Sequence, residues 1–202
     1  MKTSFLVALL VLATAGAAFA APTPKDQTQK LLTYWTADAG AKKAPDGAPT
    51  KVLPPELVAL FDYDGLVTAA ILPHKAQLSN AQHTRYREVF TALLKKTVLE
   101  QAGTALADTK IKMLPPRTDA AATLIEVRAE MPNDDVETAV VFTWRQVSGA
   151  WKIEDLSIDG SSLVKDYSNQ FGRLIKKEGV DGFIGKLEAR LAGKRDDKTA
   201  RL

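Results

Sequence analysis

The chain has 202 residues, of which 46% are hydrophobic and 25% charged, and its formal net charge is +3. This composition is typical of a globular domain with a buried core, and the dispersed basic excess, without interleaved aromatic residues, argues against nucleic-acid binding. There is no cysteine, and the two histidines, His74 and His83, lack metal-ligand spacing. Disulfides and cysteine nucleophiles are therefore excluded, and we expect no metal site and no cofactor.

The first twenty residues have the pattern of a secretory signal peptide. Lys2 precedes the apolar run FLVALLV, and Ala18 and Ala20 stand in the A-x-A spacing that signal peptidases cleave. The run is shorter than the roughly 20 apolar residues that span a bilayer. We predict that residues 1–20 are removed and that residues 21–202 form one secreted domain, with a frayed tail from about residue 193.

Three short helices are predicted before the longest one. The first includes residues 31–35, and a loop rich in Ala, Pro and Gly covers residues 39–51. Pro55 suits the first turn of the second helix, whose apolar stripe extends to Phe61. The third helix covers residues 64–72.

Ser79 begins the clearest helix of the sequence. Ser79 and Gln82 have the spacing of a capping box, in which each side chain binds a backbone amide of the other. Apolar residues then recur at i, i+4, i+7, i+8 and i+12, which predicts one broad apolar face over about five turns. These residues are Tyr86, Phe90, Leu93, Leu94 and Val98.

The apolar period changes from 3.6 to 2 after Gly103, which predicts strands. Ser148 and Gly149 form a tight-turn signal between the last two of them. The alternating segments, about four in number, are residues 109–114, 123–131, 137–147 and 151–159. Together they predict an antiparallel meander.

The chain returns to helix after Gly160. Apolar residues share one face over residues 163–175, Gly179 ends this helix, and a last helix begins at Asp181. Helices before and after a block of strands indicate the α+β class, with an antiparallel sheet and helices packed on one of its faces.

The C-terminal third resembles a known family. WKIEDLSIDGSSLV, YSNQF and GVDGFI, all within residues 151–187, match the pattern W-K-V-x-D-V-x-(V/I)-(E/D)-G-x-S-L-V, Y-x-x-Q-F and G-(I/V)-D-G-(L/F)-I. This is the signature of the Mla-type (MlaC family) phospholipid-binding proteins, also described as toluene-tolerance auxiliary components of ABC transporters. Weaker matches in FDYDGLVTAAIL and QHTRYREVFTALLKKT extend the resemblance over residues 61–187. Val98 departs from the family, whose members often have Tyr there.

The resemblance implies a cone-shaped, NTF2-like domain that encloses an apolar cavity of roughly 1,000 Å³. It implies a monomeric periplasmic lipid carrier, not an enzyme, that holds the acyl chains of a glycerophospholipid. The carrier would exchange lipid between an outer-membrane lipoprotein and porin complex and an inner-membrane ABC transporter with its substrate-binding subunit, and so support outer-membrane lipid asymmetry. The candidate lining residues are Phe90, Leu94, Val98, Val127, Phe142, Trp144, Ile153, Leu156, Tyr167, Phe171, Leu174 and Ile175.

Two alternatives stay open from the residues alone. Asp155, a carboxylate in a mostly apolar strand, could serve as the general acid or base of a small isomerase-type enzyme on an NTF2-like fold. No second acid or histidine lies nearby in sequence, and acceptance of amides at the following turn is the favoured role. Alternatively, helices and sheet pack solidly in an adaptor that binds no lipid, because periodicity does not distinguish a filled core from a hollow one.

Overall fold

A computed structural model describes residues 21–36, 53–106, 109–130 and 137–193, with only the backbone described for 97–106. The helices are α1 Pro24–Thr36, α2 Pro55–Val58, α3 Tyr63–Ile71, a 3-10 helix at Leu72–Gln77, α4 Asn80–Leu106 and α5 Leu163–Leu191. The strands are β1 Lys110–Met113, β2 Arg117–Asp119, β3 Ala122–Glu130, β4 Glu137–Val147, β5 Ala150–Ile158 and β6 Ser161–Ser162. The predicted signal peptide, the 39–51 loop and almost all of the tail lie outside the described residues.

The strands form one open, curved antiparallel sheet in the order β1-β3-β4-β5-β6, and β2 follows β1 along the same edge of β3. The predicted α+β class with helices on one face is confirmed, but the described residues form a sheet of six strands instead of about four. Pro115 and Pro116 lack the amide hydrogens that a continuous edge strand would need, so that edge is divided into β1 and β2. The sixth strand, Ser161–Ser162, is too short to show alternation.

A β-bulge interrupts the pairing of β4 with β5. Thr143 pairs with Asp155, whereas the next residue, Trp144, pairs with Ile153, so that Glu154 is the extra residue. An extra residue shifts the alternation of side chains by one position. Ile153 and Leu156, which are three apart, are thereby both brought to the helix-covered face of the sheet, opposite Trp144 and Phe142.

The helix-covered face of the sheet is apolar and the other face carries ion pairs. Ile125, Val127, Phe142 and Trp144 are buried beneath the helices. The outer face is stabilised by pairs such as Arg145 with Glu154, whose nearest N–O distance is 2.6 Å. This division fixes which side of the sheet can host an apolar site.

Helix α4 begins with the predicted capping box. The Ser79 amide donates to Gln82 Oε1 at 3.0 Å, and the Gln82 amide donates to Ser79 Oγ at 3.3 Å. The helix is 27 residues long. It is longer than the predicted five turns because it continues through Gly103 instead of ending there. Within the part of the chain that the structure describes, no helix has both the length and the apolar character needed to cross a bilayer.

Aromatic side chains join α4 to α5. The Phe90 ring lies 4.9 Å from the rings of both Tyr167 and Phe171, and Phe171 lies 4.8 Å from Phe183, measured between ring centroids. The Tyr86 hydroxyl donates to the Val67 carbonyl oxygen in α3 at 2.9 Å. Helices α3, α4 and α5 therefore form one packed layer over the sheet.

Gly179 divides α5 without a loop. Its backbone (φ 71°, ψ 174°) is non-helical, so the predicted end of one helix and start of the next are present as a kink within a continuous element. A side chain at such a φ/ψ is strained, and only glycine adopts it readily. Gly185, which lies further along the same helix, has open space where a Cβ would lie.

We expect these two glycines to respond in opposite directions to alanine. Gly179→Ala should lower the free energy of unfolding by about 2 kcal/mol because it forces a Cβ into the strained conformation. Gly185→Ala should raise it by up to about 1 kcal/mol, since alanine restricts the unfolded chain and favours helix. Urea denaturation monitored by circular dichroism measures both. Equal effects of the two substitutions would contradict the assigned kink.

Candidate functional site

The candidate site is built where the segment after α2 meets the middle of β5. Helix α2 ends at Val58, and Phe61 does not continue its stripe as predicted but forms a parallel bridge with Ile153. The Ile153 amide donates to the Leu60 carbonyl at 2.7 Å, and the Asp62 amide donates to the Ile153 carbonyl at 2.9 Å. These two bonds fix Phe61 and the start of α3 along the edge of β5 that faces away from β4.

An apolar crevice lies beneath this junction. Its volume is about 10 Å³, which is no more than a water molecule requires. The crevice lies between the start of α3, the middle of α4, β5 and the first residue of α5. Its walls are formed by Phe61, Tyr63, Leu66, Leu94, Ile153, Asp155, Leu156 and Leu163.

A larger concavity opens to solvent on the other side of the same two aromatic residues. Its volume is about 450 Å³, within the range of ligand pockets in proteins. Its walls are formed by Leu53, Pro55, Val58, Ala59, Phe61, Tyr63, Lys95 and Lys152. Phe61 and Tyr63, whose ring centroids are 6.0 Å apart, line both spaces and thus separate the crevice from the surface.

Tyr63 places one polar atom in this partition. Its hydroxyl oxygen is buried, and no hydrogen-bond partner for it occurs among the described residues. Burial raises the pKa of Tyr63 well above its ordinary value, so the phenol is neutral at physiological pH. An unsatisfied buried hydroxyl costs about 1–3 kcal/mol, a cost that a ligand with an acceptor oxygen would remove.

Asp155 has its carboxylate engaged by the turn that follows β5. Its Oδ1 accepts the Leu156 amide at 2.9 Å and the Val164 amide at 3.2 Å, and its Oδ2 accepts the Ser162 hydroxyl. Ser162 in turn caps α5, because its Oγ accepts the Lys165 amide. The geometry therefore gives Asp155 the favoured role, in which it fixes the start of α5 against β5.

The residues predicted to line a cavity fall into separate places. Leu94, Ile153 and Leu156 come together in the crevice. Phe90, Tyr167 and Phe171 belong to the aromatic cluster between α4 and α5. The remaining described candidates, Val127, Phe142, Trp144, Leu174 and Ile175, lie in or against the core, and the side chain of Val98 is outside the described residues.

Helix α1 covers the part of the sheet that carries two of these candidates. Trp144 Nε1 donates to the buried Thr28 Oγ1 at 3.0 Å, and the Trp35 ring stacks on Phe142 with a centroid distance of 6.3 Å. Phe142 and Trp144 are therefore packed beneath α1. Whether they line a cavity when lipid is bound stays a prediction.

Sequence reasoning missed the residues at the opening of the site. Phe61, Tyr63, Lys95 and Lys152 were not among the candidates, although Phe61 and Tyr63 belong to the FDYDG segment that contributed to the resemblance. In the sequence, the two lysines are typical of solvent-exposed positions in a helix and in a strand. Within residues 21–36, 53–96, 109–130 and 137–193, no three His, Asp or Glu side chains are grouped closely enough to hold a metal ion.

Comparison with known proteins identifies the family. The model of the MlaC protein family matches residues 25–189, which is most of the chain, and the protein therefore belongs to the MlaC family. The resemblance drawn from the sequence is confirmed.

The structure is also similar to that of a phospholipid-binding protein from Ralstonia solanacearum, which was solved in complex with a phospholipid. The TM-score is 0.60 and the sequences are 22% identical, with 84% of this chain and 95% of that chain covered. At this identity the likeness establishes a shared fold.

We expect substitutions at Asp155 to act on stability. Asp155→Ala should lower the free energy of unfolding by about 3 kcal/mol because it leaves two amides and a hydroxyl without their acceptor. Asp155→Asn retains one acceptor oxygen and should cost about 1 kcal/mol. Chemical denaturation measures both changes.

Asp159→Asn is the matched control for this series. Asp159 has a φ of 48°, which asparagine tolerates, and its Oδ1 accepts the Ala139 amide at 2.8 Å, a bond that an amide oxygen can replace. Its effect should be within about 0.5 kcal/mol. The structural role would be contradicted by a different pair of results. The native protein would turn over a ketosteroid-like substrate, and Asp155→Asn would abolish that turnover without changing the free energy of unfolding.

Proposed function

We propose that this protein is a periplasmic carrier that holds the acyl chains of a glycerophospholipid between its sheet and its helices. The observation that carries the proposal is the adjacency of two apolar spaces, the crevice under α3 and the open concavity of about 450 Å³, through Phe61 and Tyr63. A lipid in this place would have its chains in the protein interior and its head group at the surface.

Membership of the MlaC family and the phospholipid bound by the Ralstonia solanacearum protein support this ligand class. The unpartnered hydroxyl of Tyr63 supports an amphiphile over a pure hydrocarbon, since an ester oxygen would satisfy it.

A carrier is needed because free lipid does not cross water. A diacyl lipid has about 30 methylenes, each worth about 0.8 kcal/mol on transfer from water, so the barrier is of order 20 kcal/mol. A protein interior as apolar as the bilayer makes the exchange nearly neutral. The transfer of lipid must be nearly neutral in free energy both when the protein is loaded and when it is unloaded, because a far tighter complex would not release its lipid.

Loading requires the interior to open. The crevice is far smaller than one acyl chain, so α3, α4 and the start of α5 must move away from β5 to admit lipid. Leu94, Ile153 and Leu156 would be the first residues to contact the chains. The other predicted lining residues would follow as the aromatic cluster and the core separate from the sheet, with Val98 further along α4.

In this role the protein is a monomer without enzymatic activity or cofactor. It would exchange phospholipid between an inner-membrane ABC transporter, through the substrate-binding subunit of that complex, and an outer-membrane lipoprotein and porin complex. The three hydrogen bonds at Asp155 support a binding role over an isomerase, since they occupy the only carboxylate in the crevice wall.

One observation favours the adaptor alternative, in which no lipid is bound. The described interior is largely filled, with Trp144, Tyr86, Phe90 and Phe171 each at most 1% exposed. An adaptor would keep this packing throughout its function. Lipid analysis separates the two functions.

The test is purification without detergent, followed by solvent extraction and mass spectrometry of the lipid. A carrier should yield about one phospholipid per chain, because a single apolar site of this size holds one ligand. Ala59→Trp, which fills the concavity from an exposed position, should reduce the bound lipid about fivefold or more by steric exclusion.

Ala76→Trp is the control, since Ala76 is exposed in the 3-10 helix and does not line the concavity. It should bind lipid as the native protein does. If native protein contains no lipid and takes none from vesicles, the carrier function is refuted and the adaptor is favoured. Equal losses in both tryptophan variants would refute the concavity as the site.

A further inference from the structure

We propose that the concavity is a head-group site that selects phospholipids with a net negative head group, with Lys95 and Lys152 as its specificity-determining residues. The inference rests on the proposed function and adds to it the chemistry of the ligand. The occupant is the head group of a lipid whose chains lie beyond Phe61 and Tyr63. Phosphatidylglycerol is a lipid of this class, whereas phosphatidylethanolamine carries a compensating cation.

The two lysines that line the concavity come from different elements. Lys95 is exposed on α4, and its Nζ lies 5.1 Å from the centre of the Tyr63 ring. Lys152 is half-buried on β5, and its Nζ donates to the Ala59 carbonyl oxygen. An ammonium group has three N–H donors, so Lys152 retains two for a ligand.

No carboxylate among the described residues neutralises this pair of cations. Neither lysine forms a salt bridge there, and the walls of the concavity contain no acidic side chain. Of the neighbouring acids, Glu154 pairs with Arg145 at 2.6 Å and Asp62 Oδ1 accepts the Gly65 amide at 3.0 Å, while Glu56 is exposed on α2 and does not line the concavity. The concavity thus combines apolar walls with uncompensated positive charge.

This combination discriminates between head groups by charge. A phosphate at the concavity gains two charge-assisted hydrogen bonds whatever the lipid. An ethanolamine or choline group brings a cation close to two ammonium groups, and the like charges repel. Because the site is open to solvent, the effect of each lysine is small, and the two together should give about fivefold selectivity.

The experiment offers vesicles with equal amounts of phosphatidylglycerol and phosphatidylethanolamine, matched in acyl chains, to the delipidated protein. After separation from the vesicles, mass spectrometry gives both the total lipid per chain and the head-group ratio. We expect about fivefold enrichment of phosphatidylglycerol, decreasing with added salt. Lys95→Gln/Lys152→Gln should return the ratio to that of the vesicles, and the total lipid per chain should decrease, because the phosphate of either lipid loses two charge-assisted hydrogen bonds.

Two further variants make the result specific. Lys110→Gln/Lys112→Gln removes the same charge from exposed positions on β1, at the far edge of the sheet from β5, and should retain the enrichment. Lys95→Gln alone is an exposed substitution that leaves the Lys152 hydrogen bond intact. This variant should lose about half of the phosphatidylglycerol enrichment. This single variant keeps the test valid if the double variant does not fold.

The outcomes separate this inference from the proposed function. A native protein that is fully loaded in the vesicle ratio overturns the head-group site and leaves the carrier function intact. Equal loss of enrichment in the β1 control overturns it as well, because the effect is then one of net charge. Failure of the native protein to take up any lipid overturns the carrier function and the site together.

Discussion

Two backbone hydrogen bonds tie Leu60 and Asp62 to Ile153 in the middle of β5, and the candidate site is built around this junction. They pair a non-helical segment with the edge of β5 that faces away from β4. Phe61 and Tyr63 therefore stand between the interior and the surface, and α3 starts directly above the crevice. Without this junction Phe61 and Tyr63 would not be held between the crevice and the concavity, and α3 would lose its backbone attachment to β5, whereas α5 would stay attached to β5 through Asp155.

The β-bulge at Glu154 complements the junction. It brings both Ile153 and Leu156 to the inner face, where simple alternation would turn one of them to solvent. It also leaves the Asp155 carboxylate at the turn into α5, where it binds Ser162 and the amide of Val164. One irregularity in a strand thus shapes the apolar wall and fixes the helix that covers it.

The proposed carrier function requires a stable fold whose interior can nevertheless open. Close packing of the aromatic cluster and of Trp144 beneath α1 favours the closed form, because buried rings lose contacts when layers separate. Burial of acyl chains would offset that loss with a comparable area of apolar contact. The polar outer face of the sheet takes no part in this exchange, since its ion pairs, such as Arg128 with Glu126 at 2.9 Å, lie on the opposite side.

Elements that depend on neighbours along the chain could be predicted from the sequence. The capping box at Ser79, the hairpin at Gly149, the break at Gly179 and the family signature all follow from local spacing, and all of them are present in the protein. The number of strands was harder to predict, because Pro115 and Pro116 divide one edge of the sheet into β1 and β2 and because β6 has only two residues.

The places where the apolar faces meet depend on long-range contacts and could not be predicted. The pairing of Phe61 with Ile153 joins residues more than ninety positions apart, and the bulge depends on the register between β4 and β5. Helical and strand periods predict which residues are buried, but they do not predict which residues pack against them. Leu94 and Phe90 therefore looked alike in the sequence, although they lie in different places in the structure. The lysines of the concavity could not be predicted for the same reason. Charged residues that are distant in sequence form a binding site only when the fold brings their elements to the same opening.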